Sequence, residues 1–116
     1  MRFEKLEFGS IEIDGTAYDH DVVINSGSVE KRKKKPSKRY RECFGHTPLS
    51  LEEDMPWNCR RLVIGTGMNG ALPVMDEVKS EAKRRKVELV ILPTPQAIER
   101  LRTGLEKTNA ILHLTC

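Results

Sequence analysis

Cysteine is scarce in this 116-residue chain: Cys43, Cys59 and Cys116 are an odd set with no C-x-x-C pair. That excludes a disulfide framework and a zinc ribbon. Cys43-x-x-His46 has the form of half a metal site, and Cys59 is one further thiol, but no second pair is spaced to complete a zinc tetrahedron. No apolar run approaches the ~20 residues of a membrane span. The opening stretch Met1–Phe8 alternates like a strand and lacks a signal-peptide hydrophobic region. A reduced, cytoplasmic protein with no metal and no cofactor is expected. Hydrophobic residues make up 38% and charged residues 32% of the chain, which suits one soluble domain over residues 1–116. At that length a fold buries about two-thirds of the surface its unfolded chain exposes.

The net charge of +3 hides an asymmetry. Residues 28–41 carry Lys31, Arg32, Lys33, Lys34, Lys35, Lys38, Arg39 and Arg41 against Glu30 alone, so this segment is +7 and the remainder −4. Lys and Arg displace counterions from phosphate, yet reading a nucleic acid also wants stacking aromatics. Only Tyr40 and Phe44 lie nearby, so the segment reads as a solvated edge hairpin whose lysines discourage strand-to-strand association. Lys83-Arg84-Arg85-Lys86 closes a helix, where positive charge complements the dipole.

Two halves differ in period. Phe3–Phe8, Ile11–Ile13 and Thr16–Tyr18 read as short strands, with Asp14-Gly15 as a hairpin turn. Val22–Ile24 is a further strand, closed by Asn25-Ser26-Gly27. Asp19-His20-Asp21 reads as a polar corner leading into it. Ser50-x-x-Glu53 has capping-box form, and Pro56 limits it to about a turn of helix. The second half reads β-α-β-α-β, with strands near 61–64, 89–92 and 110–115. A first helix has Pro73 in its opening turn and the stripe Val74, Met75, Val78, Ala82. A second is capped by Thr94 and buries Ala97, Ile98, Leu101 and Leu105. Crossovers of this length imply parallel pairing, so these three strands should form the centre of a mixed sheet, with the N-terminal antiparallel strands extending or covering it. The fold class is α/β, one three-layer domain.

Gly65-Thr66-Gly67-Met68-Asn69-Gly70 follows the apolar run Leu62-Val63-Ile64. It satisfies G-x-G-x-x-G, the spelling of a turn that presents backbone N–H groups to phosphate at a helix N-terminus. A dinucleotide site also needs an acid at the end of the next strand, which here ends Leu92-Pro93-Thr94. The loops after Ile64 and Leu92 emerge at one sheet edge, so Gly65, Thr66, Gly67, Met68, Gly70, Thr94 and Gln96, with His46, are the candidate ligand-binding residues. Replacing Gly67 with Val is expected to remove ligand binding and spare the fold. On a strand, His113 shares a face with Thr115, while Cys116 follows Leu112 and Leu114 to the apolar side. No residue is assigned a catalytic role.

Tyr18-Asp19-His20-Asp21, Gly45-His46-Thr47-Pro48, Leu62–Met68, Thr94-x-Gln96-Ala97 and His113-x-Thr115-Cys116 together resemble the family of the adipogenesis-associated Mth-domain-containing protein. A mitochondrial assembly factor for complex I is a more distant relative, and many archaeal and bacterial members are uncharacterised. The resemblance spans nearly the whole chain and implies a three-layer fold with a mixed central sheet. It brings no settled activity. The first expectation is a non-catalytic cytoplasmic binding or adaptor protein with protein partners and a cleft at residues 65–70. The second is a small phosphate-bearing ligand in the same cleft, bound or turned over. The third is non-specific nucleic-acid contact through residues 31–41.

Overall fold

The computed structural model describes residues 1–116. Eight strands run β1 (Phe3–Glu7), β2 (Ser10–Ile13), β3 (Thr16–Tyr18), β4 (Val22–Asn25), β5 (Ser28–Lys31), β6 (Arg61–Thr66), β7 (Glu88–Leu92) and β8 (Thr108–His113). Three α-helices are α1 (Arg41–Phe44), α2 (Asp76–Arg84) and α3 (Thr94–Arg102), and a 3-10 helix covers Lys35–Tyr40. None is long and apolar enough to cross a membrane.

β1, β2 and β3 form an antiparallel sheet of three. Asp14 and Gly15 adopt φ of +50° and +81°, the positive pair that a type I′ turn needs to match strand twist. The larger sheet has the order β5-β4-β8-β6-β7. β6 pairs in parallel with β8 and β7, while β4 pairs antiparallel with β8 and β5. The small sheet therefore covers the large one, and the β4–β5 hairpin extends it. The strand at 88–92 is an edge, not a centre, because the chain adds β8 on the other side of β6; Ile91 is exposed accordingly.

Alternation along the strands makes two cores. Val63, Val22, Ile24, Ala110 and Leu112 face α3 and the small sheet, burying Phe3, Ile11, Ile13, Ala97, Ile98 and Leu101. Leu62, Ile64, Val23 and Ile111 face α2 through Val78 and Ala82, together with Leu49, Met55 and Leu72. Helix α2 begins at Asp76, later than the apolar stripe suggests. Val74 is drawn out of the helix by a parallel bridge to Leu49, and Met75 donates its N–H to the Leu49 carbonyl. The capping-box expectation at Ser50 and Glu53 also fails: residues 51–53 form a turn, and both side chains are buried in a polar cluster described below.

Candidate functional site

The glycine turn is a clasp for residues 113–116. The Gly67 N–H donates to Thr94 Oγ1 at 2.8 Å. Met68 N–H reaches the Thr115 carbonyl at 2.7 Å, while Asn69 and Ala71 N–H reach that of Cys116 at 3.1 and 3.0 Å. Gly70 and Leu72 donate back to Gly67 and Thr66. Every amide from 67 to 72 is thus engaged inside the protein, and the next helix starts only at Asp76. The phosphate-cradle expectation is corrected on both counts, since neither free N–H groups nor a helix dipole face a ligand there. Thr66 and Thr94 are buried, and neither lines the basic cleft described below. Thr66 Oγ1 donates to the Leu92 carbonyl at 3.1 Å, and Thr94 Oγ1 donates to that of His113 at 2.6 Å. Thr94 is no N-cap; Pro93 holds that position, and the Thr94 hydroxyl ties β6 to β8 instead. Gly65 is buried, Met68 half-buried, and Gly70 and Gln96 exposed or partly so.

A polar cluster lies at the end of β8. Asp21 Oδ2 accepts from His113 Nδ1 at 2.7 Å and from Arg32 Nη1 at 2.9 Å, and Oδ1 accepts from the Leu114 N–H at 2.9 Å. Arg32 then forks onto Glu53, Nε to Oε1 at 2.8 Å and Nη2 to Oε2 at 2.9 Å. Ser37 donates to Glu53 Oε2 at 2.6 Å, which leaves Ser50 to donate the 2.6 Å bond between the two hydroxyls. Arg32, Ser37, Ser50 and Glu53 are all buried, and no buried side-chain polar atom lacks a partner. Arg32, expected in a solvated patch, is therefore a structural centre, and Asp21 is more than a polar corner. The cause is register: the Arg32 N–H continues the β4–β5 ladder to the Asp21 carbonyl at 2.9 Å, bringing the two side chains together.

Burial pushes the Asp21 carboxyl up. The His113 hydrogen bond and charge, the Leu114 N–H and Arg32 outweigh it and hold the group at about 2. Burial opposes the charge on Arg32, yet Glu53 and Asp21 raise its pKa above the usual value. An ionised Asp21 only accepts, so His113 Nδ1 carries the proton and Nε2 is left to face Thr115 Oγ1 at 3.2 Å.

This cluster backs a cleft of about 290 Å³. Lys34, Lys38 and Arg41 line it with His46 and Thr47, and so do Arg32, Leu72, His113, Thr115 and Cys116. Lys34, Lys38 and Arg41 are exposed and form no salt bridge. The basic segment is bent into this wall by the 3-10 helix, with Pro36 in its first turn, followed by α1. Lys31, Lys33, Lys35 and Arg39 are exposed outside it, Arg39 paired with Glu52 at 3.1 Å. His46 does line a cleft, one that includes none of residues 65–70. Cys116 joins it because the chain leaves the strand at His113 and turns toward the clasp, contrary to the apolar-side expectation. Cys43 is exposed, Cys59 donates its thiol to the Pro56 carbonyl at 3.4 Å, and no group of three or more His, Cys, Asp or Glu is placed to hold a metal ion.

This architecture, a mixed sheet between helices and a small antiparallel sheet with a basic cleft at the end of β8, is that of a compact α/β domain of one particular kind. The chain belongs to the family described as "Protein of unknown function (DUF498/DUF598)", matched over residues 3–111. It is similar to the conserved hypothetical protein PH1505 of Pyrococcus horikoshii OT3, at 31% identity over 100% of both chains with a TM-score of 0.79. It is also similar to MT938, at 28% identity and a TM-score of 0.73 over 98% of this chain and 97% of that one. A Mth938-like domain from Bordetella pertussis shares the fold at 15% identity, with a TM-score of 0.60 over 97% of this chain and 84% of that one. No curated protein matches.

Proposed function

We propose that this protein binds a small anionic, phosphate-bearing ligand in the cleft between the basic segment and the His113–Cys116 turn. The observation that supports it is the convergence of Lys34, Lys38 and Arg41, none of them salt-bridged, on one concave site with His46 and the hydroxyls of Thr47 and Thr115. Three unpaired cations around a cavity focus potential on an anion. A charged hydrogen bond to phosphate contributes about 1.5–3 kcal/mol, enough together for selective binding. The buried Arg32 adds rigidity rather than free charge, since its guanidinium is committed to Asp21 and Glu53. The ligand site thus moves from the glycine turn to a cleft that the turn helps to build.

An amide NMR titration with inorganic phosphate and ATP at low salt tests this reading. Saturable shifts at Lys34, Lys38, Arg41, His46, Thr47 and Thr115 are expected. The triple variant K34Q/K38Q/R41Q should weaken binding at least about tenfold. Flat spectra at millimolar ligand would sink the proposal and return a protein partner, the adaptor expectation, to first place.

A further inference from the structure

The same cleft is backed by a hydrogen-bonded chain of three side chains, Asp21, His113 and Thr115. Asp21 fixes His113 through Nδ1 at 2.7 Å, and His113 Nε2 faces the Thr115 hydroxyl at 3.2 Å. We propose that Thr115 is a nucleophile for acyl transfer from small anionic esters, with His113 as its base and Asp21 as the group that positions the imidazole. This rests on the anionic-ligand reading of the cleft, and it adds the reaction class.

The order carboxylate, imidazole, hydroxyl is the arrangement that activates a weak oxygen nucleophile on unrelated folds, and it is identified by geometry rather than by chain order. Three features make it more than a local hydrogen bond. The carboxylate is immobilised by donors other than the imidazole, the Leu114 N–H and Arg32 Nη1, each at 2.9 Å. That keeps a proton on Nδ1 and aims Nε2, the acceptor position of the neutral ring, at the hydroxyl. Next, the backbone of the nucleophile is held, because the Thr115 carbonyl accepts the Met68 N–H at 2.7 Å and the Cys116 carbonyl accepts those of Asn69 and Ala71. The clasp at the glycine turn thereby presents the Thr115 hydroxyl to the imidazole. Finally, His113 and Thr115 line the cleft walled by Lys34, Lys38 and Arg41, so an anionic ester is drawn to the hydroxyl. A separation of 3.2 Å is at the long end for such a bond, and hydrogen bonds of this kind tighten when substrate arrives.

The step balances without any co-reactant but water. Thr115 Oγ bonds to the ester carbonyl carbon as its proton passes to His113 Nε2. The carbon–oxygen bond to the leaving group then breaks, and the leaving oxygen takes that proton. Water next attacks the acyl-threonine and gives a proton to Nε2. The acid departs, and Thr115 Oγ regains the proton. Positive charge on the wall stabilises both the substrate's anion and the oxyanion that develops at the carbonyl.

The full chain incubated with mono(4-nitrophenyl) succinate tests the proposal. Release of 4-nitrophenolate above the buffer rate is expected, with one succinyl group mapped by mass spectrometry to the peptide that contains Thr115. Thr115→Ala should lose both, Thr115→Ser should keep both, and His113→Gln should slow release at least about a hundredfold. K34Q/K38Q/R41Q should raise KM for this ester far more than that for neutral 4-nitrophenyl acetate. Succinylation confined to lysines, or release undiminished in Thr115→Ala, would overturn it. The phosphate titration of the natural chain separates the two proposals: binding with no esterolysis removes the nucleophile and keeps the cleft, whereas no binding removes both.

Discussion

Gly67 shows how much a single residue carries. It adopts φ +106°, and a Cβ there would lie 2.3 Å from the carbonyl carbon of Cys116 and 2.8 Å from the His113 ring. Both the left-handed backbone and the contact forbid a side chain. Gly67→Ala is therefore expected to lower the unfolding free energy by about 2 kcal/mol or more, read from urea midpoints. Gly70→Ala, at φ +68° with Pro93 Cγ 3.3 Å away, should cost only about 1 kcal/mol. Equal losses at the two positions would contradict the clasp. Contrary to the sequence-based expectation, Gly67→Val is expected to disrupt the fold, because the added side chain would collide with residues 113–116.

At the scale of elements, the β4–β5 hairpin makes the difference between a charged run and a built site. Its register pairs Val22 with Lys31 and Val23 with Glu30, so the next pair sets Arg32 beside Asp21. The 3-10 helix and the turn at 51–53 then deliver Ser37 and Glu53 to the same cluster. Removing one partner of such a buried pair strands the others' charges. Arg32→Met should destabilise by about 3–5 kcal/mol in urea unfolding, while Lys33→Gln, one residue on and exposed, should stay within about 0.5 kcal/mol. A small effect of Arg32→Met would show that the network is peripheral. Most element types were legible because alternation and helical spacing are local: the N-terminal strand segments and the β-α-β-α-β half follow from them. The start of α2 was not, because Val74 and Met75 suit a helix and a bridge alike, and only Leu49, distant in sequence, selects the bridge.

For the whole molecule, acid response should follow the Asp21 cluster. The folded carboxyl is held at about 2, below its ordinary 3.8. A depressed carboxylate contributes stability that is fully present above the unfolded value and is lost as pH falls through the folded one. A shift of this size corresponds to about 2 kcal/mol, lost between roughly pH 4 and 2. Urea midpoints measured across that range should fall accordingly, and the Asp21→Asn variant should show a shallower decline. A parallel decline in both proteins would place the acid sensitivity elsewhere. The anchoring spans the fold, since Asp21 precedes β4 while His113 and Leu114 end β8.

The sequence by itself determined the α/β class, the hairpin turns and the two-sided alternation of the central strands, since each depends on neighbours a few residues apart. It also put His113 and Thr115 on one side, two positions apart. Tertiary structure alone decided which strand became an edge, which of eight basic residues was buried and what the glycine turn held. Those outcomes depend on partners brought together from positions 21, 32, 53, 67 and 113–116, and no local periodicity encodes a meeting of that kind. The site is a product of packing: residues 113–116 are clasped by the turn, the basic segment folds over them, and one buried arginine ties both sheet strands and loop to the same carboxylates.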